Sequence, residues 1–147
     1  SDVYKRQGLI CAPVDIDGGS GVSWSNIDSY EIGATAQSDF NGVPNTTAII
    51  GQNGHISSAA KLCVDYSTTG TSPGDWYLPS IDELSQIYYV KYQINKALGV
   101  NSFVFTTYWS STEFYPSYAW ARHFYDGSST YLINKNSYCR VRAIRAF

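Results

Sequence analysis

Two histidines, His55 and His123, three cysteines, Cys11, Cys63 and Cys139, and one adjacent carboxylate pair, Asp82-Glu83, are the side chains here with the types for acid–base or nucleophilic chemistry. Their spacing does not assemble it. A hydrolytic site needs a nucleophile, a base and a group that orients the base. His55 sits in a Gly-Asn-Gly-His loop and His123 in a strand-like run, with no G-x-S-x-G anywhere. Asp82 and Glu83 follow Pro79-Ser80-Ile81, where acidic side chains have a structural task. Ser80 caps a helix while Glu83 reaches back, and both acids favour the positive end of its dipole. An odd cysteine count without C-x-x-C fits neither a zinc ribbon nor a disulfide framework, and reads as three small buried hydrophobes. Asp15-Ile16-Asp17-Gly18-Gly19 offers oxygens to a hard cation but lacks the downstream bidentate Glu that calcium loops use. There is no P-loop and no dinucleotide fingerprint. The Asn45-Thr46-Thr47 sequon is short enough to arise by chance. The expectation is a protein that is not an enzyme and uses no cofactor or metal.

The catalytic signal is thus close to nil, and composition bounds what is left. The chain has 147 residues and a net charge of −2, enough for one domain with a real core. With 44% hydrophobic residues it is not disordered, and no apolar run approaches the roughly 20 residues of a membrane span. A pI near 5.5 argues against general nucleic-acid affinity. The aromatic load is high: 13 Tyr, 4 Trp and 6 Phe. Tyrosine at this density serves a β-rich core or a contact surface. Arg122, Lys135, Arg140, Arg142 and Arg145 face only Glu113 and Asp126 across 108–147, a basic end on an acidic body. That fits either an anionic ligand or a few buried Arg pairs.

The elements that would carry such a surface can be read in order. Residues 1–7 fit no element and read as an end segment outside the domain. Gly8–Pro13 reads as a short strand stopped by proline. Loops dominate 14–44, and Asn45-Thr46-Thr47 reads as a cap before Ala48-Ile49-Ile50. A helix is expected over Ile56–Tyr66, with Ala59, Ala60, Leu62 and Cys63 inward. A longer one runs from Ser80 through Ile81, Leu84, Ile87, Ile94 and Leu98 to a Gly99 cap. Short β segments follow at Phe103–Ser110, Tyr118–Phe124, Ser129–Asn134 and Tyr138–Ile144, with Asp126-Gly127 as a hairpin turn. Two helices, short antiparallel strands and long loops make an α+β domain over 8–147.

Alternation across Tyr118–Tyr125 puts Trp120, Arg122 and Phe124 on one face and Ala121, His123 and Tyr125 on the other. Burying the two large aromatics turns the second face outward, continued by Tyr115, Tyr118, Ser128, Thr130, Tyr131, Asn134, Asn136 and Tyr138. Tyr, Ser, Asn, Thr and His are the residues combining sites use, and equally they fit a solvated sheet face with incidental tyrosines. By the same reasoning Trp109, Trp120 and Phe124 are buried framework. Glu113 is expected to be buried and paired with a tail arginine or backbone amides.

An ordered series of motifs adds to this: Gly21-Val22-Ser23-Trp24, Ala59-Ala60-Lys61-Leu62-Cys63, Trp76-Tyr77-Leu78-Pro79-Ser80-Ile81-Asp82-Glu83-Leu84, Tyr108-Trp109-Ser110-Ser111-Thr112-Glu113 and Arg140–Phe147. Over about 8–147 it resembles the Lcl C-terminal (DUF1566-like) domains, which have a C-type lectin-like fold. More closely it resembles the variable proteins of diversity-generating retroelements, bacterial or phage proteins whose last segment is rewritten by mutagenic reverse transcription. That resemblance implies a stable scaffold with a variable region at about 108–147. It implies binding of a protein or glycan, on a cell surface or virion, through the eleven outward residues Tyr115, Tyr118, Ala121, His123, Tyr125, Ser128, Thr130, Tyr131, Asn134, Asn136 and Tyr138. Adenine-directed mutagenesis of AAY codons cannot produce Trp, Lys, Glu, Gln or Met. Between Phe114 and Cys139 only Trp120 and Lys135 fall in that set, at positions matching framework. The family usually has a further strand before Gly8, which would leave a sheet edge open here. Two other readings remain: a non-diversifying surface adhesin for glycans or polyanions, and, remotely, an oxidase resembling formylglycine-generating enzymes. The latter share an L-P-x-x-x-E segment but need a second reactive thiol near Cys139.

Overall fold

A computed structural model describes residues 8–124 and 130–147, with the side chains of Thr130 and Tyr131 outside that description. Mixed α and β structure is observed. The first strand, β1 (Leu9–Cys11), pairs antiparallel with the last, β5 (Ile144–Ala146). Between them lie α1 (Gly42–Ile50), α2 (Ala59–Asp65), α3 (Ile81–Tyr89) and α4 (Lys91–Leu98), then β2 (Thr107–Tyr115), β3 (Tyr118–His123) and β4 (Thr130–Asn134). The last three form one antiparallel sheet in the order β2-β3-β4. The expected turn at Asp126-Gly127 falls outside the described residues.

Both small sheets lie between two apolar clusters. The larger holds Trp24, Ile49, Leu78, Trp109, Ala119, Ala121 and Val141. The second holds Leu84, Ile87, Phe103, Tyr108, Phe124 and Ile144. Burial of such side chains, roughly 1.5–3 kcal/mol each, drives the assembly.

The capping residues work as the sequence indicates at α3. Ser80 accepts from the Glu83 N–H at 3.2 Å and Glu83 from the Ser80 N–H at 3.0 Å. The same Glu83 carboxylate also takes the Gly42 N–H at 2.8 Å and the Tyr77 hydroxyl at 2.7 Å, fastening α1 to α3. Gly42 must be glycine there, because a Cβ would stand 2.3 Å from the Leu78 carbonyl oxygen. Ser58 caps α2 through the Lys61 N–H at 2.9 Å.

Among the described residues four α-helices replace the two expected. The stretch 81–98 is not continuous: it breaks at Val90, whose N–H is shared among the Gln86, Ile87 and Tyr88 carbonyls. The break lets Lys91 bury its ammonium 3.8 Å over the Tyr88 ring. Gly99 closes α4 in the left-handed region at φ 73°, as its type suggests. Helix α1 begins four residues earlier than expected, capped by Asn41. Asn45 cannot cap it, because its side chain is buried between Ser38 and Ser111. That burial also closes the sequon to modification. Strand β2 starts later than expected and runs on to Tyr115. Residues 138–143 form single bridges instead of a strand, Cys139 with Val22 and Arg140 with Tyr108, because different partners share their hydrogen bonds.

Candidate ligand-binding surface

Register decides which side chains the three-stranded sheet displays. Opposed residues share a face. Ala121 opposite Trp109, and Ala119 opposite Ile133, face the larger cluster. Tyr118 opposite Asn134, Trp120 opposite Leu132, and Arg122 opposite Tyr108 share the other face. Helix α3 covers that second face at the Arg122 end only. There the guanidinium lies 4.4 Å from the Tyr88 ring centroid and 5.0 Å from that of Tyr89, and bonds the Ser85 hydroxyl at 3.0 Å. Toward Tyr118 the sheet is open.

At this open end the expected residues Tyr115 (56% exposed), Tyr118 and Asn134 come together, Tyr118 lying opposite both of the others. Asn134 is half-buried and Asn136, just beyond β4, is exposed. Tyr138, 75% exposed, stands elsewhere, between two clefts. One, of about 380 Å³, it shares with Gly21, Ile56 and Lys61; the other, of about 320 Å³, with Phe105 and Arg140. His123 is half-buried at the far end of β3. Thr130 and Tyr131 occupy β4 opposite Arg122 and Ala121. Tyr125 and Ser128 lie outside the described residues.

One expected residue is misplaced. Ala121 is fully buried, pressed with Ala119 beneath Trp109. Alternation correctly separated the two faces, but both are covered at this point of β3. Small residues go under the indole core because only they fit there, while the partly covered face takes the large ones. Trp120, expected as buried framework, is accordingly half-buried, its ring 5.5 Å from that of Phe114. Phe114 and Trp120 thus extend the aromatic surface beside Tyr115 and Tyr118. Alternation would have turned Phe114 inward with Tyr115 outward; the register shift between Glu113 and Tyr115 exposes both, and no sequence signal marks it.

Beneath the open end the framework is tied by charge. Glu113 accepts the Lys135 ammonium at 2.7 Å, the Ile32 N–H at 2.8 Å, the Gly33 N–H at 2.9 Å and the Gln37 amide at 3.1 Å. Its partner is Lys135 with backbone amides, not a tail arginine. Lys135 also donates to the Tyr30 carbonyl and lies 4.6 Å over Trp24, and burial pushes its pKa down against the pull of Glu113. Arg142, fully buried, pairs with Asp15 at 2.6 Å and donates to the Ala12 and Ser102 carbonyls. Arg140 reaches Asp17 at 3.4 Å, and Asp17 accepts the Gly21 N–H at 2.6 Å. The Asp15–Gly19 acids therefore serve these arginines. Among the described residues, no group of three or more His, Cys, Asp or Glu side chains could hold a metal, and no helix is long and apolar enough to cross a membrane.

The match to known families falls on this architecture. Residues 16–145 match the Lcl C-terminal domain, a span that includes the Glu113–Lys135 and Asp17–Arg140 pairs. The chain belongs to the Lcl C-terminal domain family. No curated protein matches it in sequence.

Proposed function

We propose that this Lcl C-terminal domain is a ligand-binding variable protein of a diversity-generating retroelement, with a C-type lectin-like fold. Its contact residues are those at the open sheet end, Tyr115, Tyr118, Asn134 and Asn136, with Phe114 and Trp120 beside them, and, apart from these, Tyr138 between its two clefts. The observation that carries the reading is the separation between display and support within a few residues of chain. Exposed tyrosines stand directly on a framework held by buried ion pairs, so the displayed residues can change without touching what holds the fold. Tyrosine supplies large amphipathic contact area at low entropic cost, and a few such side chains can dominate an interface. The antiparallel pairing of the terminal strands, with both small sheets between two cores, is consistent with the lectin-like fold.

The rival readings find less support. A polyanion-binding adhesin would need its basic end free. Instead Arg122, Lys135 and Arg142 are buried, and Arg140 is engaged by Asp17. An oxidase of the formylglycine-generating type would need an activated thiolate, whereas burial pushes the Cys139 thiol up to about 12. Sequencing the flanking DNA and sibling copies of the gene tests the proposal. A neighbouring reverse transcriptase gene is expected, with a template repeat matching codons 108–147. Variation should centre on Tyr115, Tyr118, Asn136 and Tyr138 while Trp109, Glu113, Ala121 and Lys135 stay fixed. Differences scattered evenly over 8–147 would overturn it.

A further inference from the structure

Two segments from earlier in the chain border the open end of the three-stranded sheet, and the charges they bring are of one sign. Residues 28–41 hold Asp28, Glu31 and Asp39 and no basic residue. Lys135 ties the first part of this segment to the sheet. Its N–H donates to the Ser117 carbonyl in the β2–β3 turn at 2.8 Å, and its ammonium to the Tyr30 carbonyl at 3.2 Å. Tyr30 and Glu31 are exposed and Asp28 is half-buried. The second border is the start of α3. The Thr112 hydroxyl donates to the Ser38 carbonyl at 2.9 Å and accepts the Ile81 N–H at 3.0 Å. The Asp82 N–H donates to the Asp39 carbonyl at 2.9 Å. The backbones of Asp39 and Asp82 are thereby fixed, with both residues exposed, beside the strand that ends in Phe114 and Tyr115.

Among the described residues no Lys or Arg forms an ion pair with any of these four acids. Lys135 lies within electrostatic reach of Asp28 and Glu31, but it is buried and Glu113 already neutralises it at 2.7 Å. Elsewhere the charges are answered: Asp65 by Lys61, Asp17 by Arg140 and Asp15 by Arg142. The sheet end that displays tyrosines therefore sits in a negative field. Such a field attracts a cation, and the faces of exposed aromatic rings attract it again.

We propose that the open sheet end docks a basic segment of a partner protein, with arginine or lysine side chains over Tyr30, Tyr115 and Tyr118 and the four acids around them. The inference rests on the ligand-binding reading above and names the partner's chemistry. Complementary charge of this kind raises the encounter rate and rejects wrong partners more than it adds affinity. Tyr30, Asp28, Glu31, Asp39 and Asp82 all precede residue 108, so they stay constant when the displayed residues change. The constant part then selects the charge class of the partner, and the displayed residues select among its members. A second copy of this chain fits worse, because it would bring the same four charges against their equals.

The test is an NMR titration of the whole chain with three capped heptapeptides, glycine at odd positions and arginine, glutamine or glutamate at even ones. The arginine peptide should shift the amides of Tyr30, Tyr115 and Tyr118 and bind about tenfold more tightly than the glutamine peptide. The glutamate peptide should not bind. Raising salt from about 0.05 to about 0.5 M should remove most of the difference, since exposed charges are then screened. Asp28→Asn with Glu31→Gln should weaken the arginine peptide by about threefold or more, and the new amide keeps an oxygen for the Gln37 side chain. Asp75→Asn, in the loop before Trp76, should change nothing. Lys5→Gln with Arg6→Gln should also leave the affinity unchanged; a tenfold gain would make the chain's own first residues the occupant and overturn the proposal. No shift at millimolar arginine peptide, or shifts centred away from these tyrosines, would overturn it too. Equal binding of the arginine and glutamine peptides at the tyrosines would overturn the charge preference and keep the ligand-binding surface. A locus with no reverse transcriptase and no template repeat would instead remove the variable-protein reading and leave the peptide result standing.

Discussion

Glu113 and Tyr115 are two residues apart on β2 and live under opposite rules. Glu113 is buried, charged and held by one cation and three N–H donors, and Tyr115 stands in solvent. The same contrast separates Lys135 from Asn136, and Arg142 from Tyr138. In this domain tolerance to change is set residue by residue, by whether a side chain closes a hydrogen-bond account beneath the sheet or ends in water above it. A surface meant to vary needs such a boundary to be sharp, because a domain stable by only roughly 5–15 kcal/mol cannot lose a buried pair.

The sharpest test of that boundary is Lys135→Met, which strands the Glu113 carboxylate in the interior. It should cost about 3–5 kcal/mol, read as a lower urea midpoint. Adding Glu113→Gln in the same chain should recover part of the loss, since two neutral groups need less compensation than one bare charge. An unchanged midpoint for the single variant would remove the framework side of the comparison.

Ala121→Leu comes next. If the inner face of β3 is packed as described, the added bulk should cost about 1–3 kcal/mol. A neutral effect would return Ala121 to the outward surface. Smaller still, Tyr118→Ala and Tyr115→Ser should each move stability by no more than about 0.5 kcal/mol in the same titration. A loss of several times that would make them framework and close the display surface.

The smallest effect concerns acid. His55 lies 2.8 Å from the Ser58 hydroxyl that caps α2, and burial lowers its pKa below the ordinary 6.5. The unfolded chain then binds the proton more readily than the folded one. Stability should fall slightly as pH drops from 6.5 through the lowered folded value, and be restored above it. His55→Gln should flatten the stability–pH profile in that interval. A profile identical to the parent's would assign the acid sensitivity to other groups.

Much of the architecture could be read without coordinates because it rests on local chemistry. Ser80 and Glu83 announced α3, and Gly99 its continuation's end, since capping depends on residues within one turn. The break at Val90 was hidden, because nothing local forbids a helix through it and the cause is the burial of Lys91 against Tyr88. The expectation that Glu113 is buried and bonded to amides was correct in kind. Its cation was assigned to the wrong element, since Lys135 reaches it only through the sheet register.

The residue types and their order determined by themselves that the chain mixes α and β structure, and that the face of β3 bearing Trp120 differs from the face bearing Ala121. Only the tertiary structure decided which of those faces remains in contact with solvent. Alternation reports that two sides exist, but covering depends on what packs from far along the chain. Here Trp24 and Trp109 close one side over the alanines, and α3 closes half of the other. The open end at Tyr115 and Tyr118 is what α3 is too short to cover.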